Sequence, residues 1–378
     1  MSIEKMSRLG FGLMRLPTVD NVSDGAIDIP RFSEMVDAYI KGGYNYFDTA
    51  YIYHGGASET AVKEALVKRY PRESFYLADK LPPWELKSLE DRDRVFNTQL
   101  ERTGVEYFDF YLLHTIEDGS NYEAFVKYDC VAWGLQKKAE GKIKHFGFSF
   151  HGTPELLDKI LTEHPEFEFV QIQLNYADLT SPVVQSGKLY EVLRKYDVKV
   201  IVMGPVKGGM LANTTPEITK MMTDVHPGSS IASWAIRFVG SLDGITTVLS
   251  GMSNMQQMED NLNIFADFKP ITTEELGILK KVVDAMATMP TIQCTNCRYC
   301  IDGCPEKILI PDIFLAVNTH RMYGQDIRPR LFYKGLSGGR AKDCTKCGKC
   351  EDVCPQHLKV SELMAEASEL FDIDKKTE

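Results

Sequence analysis

Long apolar runs are missing from this chain. No stretch of its 378 residues approaches the roughly 18 consecutive apolar positions of a membrane-spanning helix. The opening MSIEKMSRLG also lacks the basic start and apolar stretch of a secretory leader. The expectation is a cytoplasmic protein with no membrane partner. Cysteine is almost absent from the first three quarters, where Cys130 stands alone. A disulfide framework is excluded there, and Cys130, on a predicted helix, reads as a small packed hydrophobe. An excess of positive charge is missing too: 43 Lys and Arg face 53 Asp and Glu, a formal net charge of −10. Residues 290 to 378 hold 13 of each sign, so the whole deficit lies on the part before them and argues against nucleic acid as a partner. What is present is an ordinary supply of core material, 44% hydrophobic against 25% charged, in a length that suits one large domain and a smaller one.

From about residue 9 to 250, short apolar runs rich in β-branched and aromatic residues alternate with longer amphipathic stretches. The runs are 9 to 13, 44 to 48, 74 to 80, 107 to 114, 143 to 149, 167 to 174, 198 to 204 and 244 to 250. Between them, helices are predicted over 31 to 41, 58 to 70, 88 to 103, 122 to 140, 154 to 164 and 186 to 196. Ser58, and Thr153 followed by Pro154 and Glu155, read as helix starts. Eight such units in about 250 residues make a (β/α)8 barrel of the α/β class the leading architecture, with a doubly wound sheet as the alternative. A barrel places its active-site groups at the carboxyl ends of its strands. Asp48, Lys80, His114 and Ser149 each close an apolar run, at the second, third, fourth and fifth strands.

In GGYNYFDTAYIYHGGASE, residues 42 to 59, Tyr53 follows Asp48 by five positions, in the loop over the expected barrel mouth. Carbonyl reduction needs hydride on carbon and a proton on oxygen, and a phenol becomes a useful proton donor when an ammonium favours its phenolate. With these residues in place, residues 8 to 265 resemble the aldo-keto reductase family. Its Asp, Tyr, Lys and His tetrad falls on Asp48, Tyr53, Lys80 and His114. The resemblance implies that Tyr53 donates the proton, Lys80 is the cation beside it, Asp48 pairs Lys80, and His114 orients and polarises the carbonyl.

Barrels often hold phosphate in the loops after strands seven and eight. MGPVKGGML, residues 203 to 211, offers a Gly208-Gly209 pair beside Lys207, following Gly204 and Pro205. LSGMSNMQQMEDNL, residues 249 to 262, offers Ser253 and Asn254 at a helix start, then Gln257 and Asn261 one turn apart. This segment looks like the family's NADP-binding signature, nearest to the subgroup that includes potassium-channel β subunits. By that similarity Gly251, Ser253, Gln257 and Asn261 hold the adenosine phosphate end. Ser149, Gln171 and Asn175 surround the nicotinamide carboxamide, and Gly12, Met14 and Arg15 line the first strand's mouth. Where many relatives have Asn after the serine, this chain has Phe150 and His151; where many have a basic residue, it has Gln257. The cofactor is expected to be NADP(H) or NAD(H).

The run C-x2-C-x2-C-x3-C-P occurs twice, at Cys294, Cys297, Cys300, Cys304 with Pro305, and at Cys344, Cys347, Cys350, Cys354 with Pro355. Paired C-x2-C motifs also make tetrahedral zinc sites. The doubled pattern resembles the bacterial ferredoxin run, whose fourth cysteine reaches the other cluster. The resemblance implies two 4Fe-4S clusters, one on Cys294, Cys297, Cys300 and Cys354, the other on Cys344, Cys347, Cys350 and Cys304. The long spacer, with a predicted helix in 310 to 324, is similar to the α-helical ferredoxin domains of fumarate and succinate oxidoreductase iron-sulfur subunits. Residues 321 to 349 hold eight basic residues (Arg321, Arg328, Arg330, Lys334, Arg340, Lys342, Lys346 and Lys349) against Asp326 and Asp343. They dock an acidic electron carrier protein, offset cluster charge or are simply solvated.

The expected organisation is a barrel over 1–268, a connecting helix over 269–289 and a two-cluster domain over 290–378. The expected activity is NAD(P)(H)-dependent interconversion of a small carbonyl and an alcohol, with an appended electron-transfer domain. Two alternatives stand beside it: a nicotinamide-sensing binding module, and cluster-mediated electron transfer between a carrier and a barrel-bound substrate. Nicotinamide exchanges two electrons as hydride whereas a cluster passes one, so direct coupling calls for a flavin, for which the sequence carries no separate motif.

Overall fold

The computed structural model describes residues 3–19, 25–117, 120–181, 184–323 and 327–372. Eight strands form: Leu9–Gly12 (β1), Tyr46–Asp48 (β2), Tyr76–Leu81 (β3), Phe108–Ile116 (β4), Ile143–Phe150 (β5), Phe169–Gln173 (β6), Lys199–Met203 (β7) and Ile245–Ser250 (β8). Each pairs in parallel with the next, and β8 closes on β1 through Leu9 opposite Val248 and Phe11 opposite Ser250. This closure decides for the barrel over the doubly wound sheet. Helices cover the outside, so the strands are buried on both faces; every residue of β3 and β4 is buried, and their sequences are correspondingly continuous in apolar character. Gly147 is required where β5 meets β6, because a Cβ there would lie 2.3 Å from the Phe169 carbonyl oxygen.

Inside the barrel, Tyr46, Tyr76, Phe110, Leu112, Phe169, Ile201 and Leu249 fill the space between the strands. The helix Ile29–Lys41 shows how the outer layer is built. Asp28 caps it by accepting from the Arg31 N–H at 3.1 Å, and Phe32, Met35, Val36 and Tyr39 repeat at helical spacing to form its buried stripe. Thr153 caps Pro154–Glu163 in the same way, accepting from Leu156 at 3.3 Å.

Several sequence expectations change. The single helix expected over 122–140 is two, Ser120–Lys127 and Cys130–Ala139, because Asp129 adopts a left-handed conformation with φ 47°. Ser58 does not cap its helix, which begins at Ala57 after Gly56; its hydroxyl instead bonds Leu13 O and Thr49 Oγ1 in the interior. Lys80, His114 and Ser149 do not terminate their strands, since Leu81 follows the first, Thr115 and Ile116 the second and Phe150 the third. Cys130 is fully buried, as a packed hydrophobe should be.

The chain groups into two compact units. One is Met1–Pro205 with Ser233–Ile271; the other is Val206–Ala232 with Thr272–Glu378. The second unit contains the helix Thr273–Ala287, started by a capping box between Thr272 and Glu275, and the helices Ile310–Tyr323, Ile327–Gly335 and Val360–Phe371. Its core is Ile292, Ile308, Ile313, Phe314, Val317, Tyr333, Met364 and Phe371, with Cys294, Cys300, Cys304 and Cys344 packed against it. Among the described residues no helix is long and apolar enough to cross a membrane.

Candidate active site and cluster sites

The end of β2, the end of β3 and the loop after β2 bring three charged or ionisable groups together. Lys80 Nζ, fully buried, lies 2.6 Å from Asp48 Oδ1, 2.6 Å from the Thr49 carbonyl and 3.3 Å from the Tyr53 hydroxyl. Gln171, on β6, donates to the other Asp48 oxygen at 3.0 Å. The carboxylate is thus pinned on both oxygens, and the ammonium has little freedom to leave the phenol. The His114 ring, from β4, meets Tyr53 edge-on with centroids 6.1 Å apart. Burial, then the charges of Lys80 and His151, hold the His114 imidazole well below its ordinary value of 6.5, so it is neutral at physiological pH.

Behind Lys80 lies a second polar layer that the sequence reading missed. Asp79 Oδ1 accepts from Lys80 N at 2.8 Å and from Gln99 Nε2 at 2.7 Å, and Gln99 accepts from the Tyr111 hydroxyl at 2.6 Å. Glu59 pairs with Arg102 at 2.8 Å. Burial, followed by the charge of Glu59, raises the Asp79 carboxyl well above the carboxylate range, and burial raises that of Glu59. Both carboxyls therefore favour their protonated forms more than exposed ones do. The adjacent pair Asp79-Lys80 was the only signal in the sequence, and it does not reveal which of the two faces the barrel mouth. Trp84, 5.5 Å from His114 ring to ring, was likewise missed.

The residues expected to hold a dinucleotide divide into groups. At the ends of β1 and β8, Ser253 Oγ donates to the Arg15 carbonyl at 2.8 Å, and the Arg15 side chain lies along Gly251. Gly12 lies against the Ser250 backbone. Asn254, rather than Ser253, caps the helix Met255–Ala266, accepting from Gln257 N at 2.9 Å. Gln257 accepts from Ser253 N at 2.7 Å, and Asn261 donates to Ser250 Oγ at 2.6 Å. Met14 sits in the short turn Leu13–Arg15. A helix N-terminus beside an Arg and amide side chains is a donor set suited to phosphate. At the barrel's far side Ser149 Oγ accepts from Thr115 N at 2.7 Å, and Asn175 donates to Asp178 at 2.8 Å and to the Gly204 carbonyl at 3.3 Å. Gly204 has φ 63° and precedes Pro205. Lys207 and Gly209 fall in the other unit, within the short turn Lys207–Gly209.

In the second unit the eight cysteines sort into two groups of four. Cys294, Cys297, Cys300 and Cys354 line one cavity, together with Ile310, Phe314 and Leu358. Cys344, Cys347, Cys350 and Cys304 line another. Each set takes three thiols from one run and the fourth from the other. Backbone N–H groups point at sulfur, Asn296 N at Cys294 Sγ (3.4 Å) and Ile308 N at Cys304 Sγ (3.5 Å). Burial pushes the Cys350 thiol up to about 11 and raises that of Cys300, so a cation must displace the proton before either can ligate. Arg328 and Asp326, from the basic stretch, lie outside the described side chains; Arg321 is committed to Glu366 and Arg340 to the Tyr333 carbonyl.

Comparison with known proteins finds two families along the chain, and the first extends over Val206–Ala232 and residues 272 to 284 of the second compact unit. The aldo/keto reductase family profile matches residues 8–284, and a 4Fe-4S dicluster domain profile matches residues 293–358. The Bacillus subtilis oxidoreductase YqkF is 24% identical over 311 residues, covering 73% of this chain and 92% of its own. The 9,11-endoperoxide prostaglandin H2 reductase of Trypanosoma cruzi is 26% identical over 281 residues, covering 72% and 86%. Among solved structures, a Klebsiella pneumoniae aldo/keto reductase in complex with NADP and acetate superposes with a TM-score of 0.58 at 20% identity, covering 74% of this chain and 92% of its own. A Bacillus halodurans aldo-keto reductase in its holo form gives 0.57 at 24%, covering 73% and 92%. With the profile spanning most of its length and the barrel closed as that fold requires, the chain belongs to the aldo/keto reductase family and carries a 4Fe-4S dicluster domain after the barrel.

Proposed function

We propose that the barrel interconverts a small carbonyl compound and an alcohol with NAD(P)(H), and that the C-terminal cysteines hold two 4Fe-4S clusters for one-electron transfer. The observation that carries the first part is the buried Lys80 ammonium, held between Asp48 and the Tyr53 hydroxyl. When bound, reduced nicotinamide supplies hydride to the carbonyl carbon. The chain's own groups supply the rest. Tyr53 gives its proton to the carbonyl oxygen, and Lys80 stabilises the phenolate left behind. Asp48, fixed by Gln171, keeps Lys80 in place. His114 is neutral and therefore orients the carbonyl by hydrogen bonding, leaving Tyr53 as the proton donor. In the alcohol-to-carbonyl direction the same groups act in reverse.

Arg15, Ser253, Gln257 and the N-terminus of Met255–Ala266 would receive the adenosine phosphate end, and Ser149, Gln171 and Asn175 the nicotinamide end. For the clusters, the supporting geometry is four thiols lining each cavity, with no three ligand side chains among the described residues converging on a single metal-ion site. That arrangement suits the corners of a cubane better than a zinc ion.

Tyr53→Phe keeps the ring but removes the proton. We expect turnover across a panel of carbonyl substrates to fall by about 10²–10⁴-fold, while NADPH binding, followed by quenching of protein fluorescence, is retained. Unchanged turnover would remove Tyr53 from the chemistry.

A further inference from the structure

The two cysteine runs share a spacing but differ in what surrounds it. In the first, CTNCRYCIDGCP, the positions between the first three cysteines are Thr295, Asn296, Arg298 and Tyr299; in the second, CTKCGKCEDVCP, they are Thr345, Lys346, Gly348 and Lys349. Thr295 is buried and the other three residues of the first run are half-buried, whereas Thr345, Lys346, Cys347 and Lys349 are exposed. The first run is covered by chain. Gly208 lies so close to it that a Cβ there would come 2.2 Å from the Thr295 carbonyl oxygen. Its single cation, Arg298, is spent on Asp312 at 3.0 Å. Around the second run Lys342, Lys346 and Lys349 are exposed with no acidic partner among the described ion pairs. The nearby acids are Asp343, whose carboxylate accepts from Arg340 N, Glu351, which accepts from Ser361 N, Asp372, which accepts from Lys342 N, and the exposed Asp352 and Glu306.

We infer that the cluster on Cys344, Cys347, Cys350 and Cys304 is the port at which an acidic one-electron carrier protein docks, on Lys342, Lys346 and Lys349, and that the first run is closed to it. The inference rests on the two-cluster reading above. Each encounter moves one electron between carrier and port, the carrier being oxidised as the cluster is reduced or the reverse, with no bond made or broken. Opposite charge draws the partner to the port, and the exposed Cys347 shortens the path.

The test uses the full iron-loaded chain, reduced with dithionite and freed of excess reductant. Its reoxidation is followed by stopped-flow absorbance with two one-electron oxidants of opposite charge, the cobalt(III)–EDTA anion and the tris(phenanthroline)cobalt(III) cation. A reduced acidic ferredoxin then serves as a protein probe for electron donation in the other direction. We expect the rate with the anion to fall as ionic strength rises, and the rate with the cation to rise. The double variant Lys342→Glu/Lys346→Glu should slow both the anion and the ferredoxin about tenfold at low salt. The neutral Lys342→Gln/Lys346→Gln should fall between it and the unaltered chain. Gln293→Glu, an exposed position beside Cys294, should change nothing. Iron and sulfide analysis of each protein separates the outcomes. Two clusters with no charge preference, or with unaltered rates in the reversal variant, overturn the port; fewer than two clusters in the unaltered chain overturns the cluster reading beneath it.

Discussion

The polar centre of the barrel and the cysteine-lined cavities of the second unit solve opposite problems. At the barrel's polar centre the charges of Lys80 and Asp48 are answered within the chain. Lys80 is met by Asp48 and the Thr49 carbonyl, Asp48 by Gln171, and Glu59 by Arg102. Such a site is built by folding alone and is ready before any ligand arrives. In the second unit, eight thiols make up much of the lining of two cavities, and part of the small hydrophobic core packs directly on them. A thiol offers its neighbours little in return, so on the proposed reading an inorganic group would tie the segments of this region together. On the proposed cluster reading, preorganisation is supplied by amino acids in one unit and would be supplied by iron and sulfide in the other.

The comparison can be broken most directly at the crossing cysteine. Cys354→Ala removes one thiol from the second run but, on the pairing of the cavities, strips the cluster of the first. Iron should fall from about eight to about four atoms per chain, with one set of EPR signals lost and the other kept. Full iron content, or loss of both clusters with the second unit still folded, would contradict the crossed assignment.

In the barrel the corresponding cut is Asp48→Ala, which leaves Lys80 buried without its carboxylate. Removing one partner of such a pair costs about 3–5 kcal/mol. We expect a clearly lower denaturation midpoint for the barrel with the iron content unchanged. Replacing both partners, as Asp48→Leu with Lys80→Met, should recover much of that stability and none of the turnover.

A smaller effect sharpens the same point through pH. His114 is neutral in the fold because its value lies below the ordinary 6.5, so the folded state binds fewer protons than the unfolded one. Its share of stability is complete above about 6.5 and is lost as pH falls toward the depressed value. Barrel stability should therefore decline on the acid side of neutrality, and His114→Gln should flatten that decline in a pH series of urea unfolding.

Much of this was legible in the sequence, for reasons that differ by residue. The strands were readable because a parallel barrel buries both faces and leaves continuous apolar runs, and Asp48 stood out as the polar close of one. The cysteine sets were readable because cluster geometry dictates spacing. The break at Asp129 was not, since a left-handed residue within an amphipathic stretch leaves the periodicity intact. Nor was the Glu59, Asp79 and Arg102 layer, whose members come from three separate elements and meet only when the barrel closes. Gln171 was read as a ligand contact, yet its amide also holds Asp48, a role that spacing cannot reveal.

Hydrogen–deuterium exchange on the iron-loaded and iron-stripped chain tests the central contrast most directly. Stripping iron should abolish protection across 293–358 while β2, β3 and β4 stay protected. Retained protection in 293–358 without iron, or equal loss in the barrel strands, would contradict it.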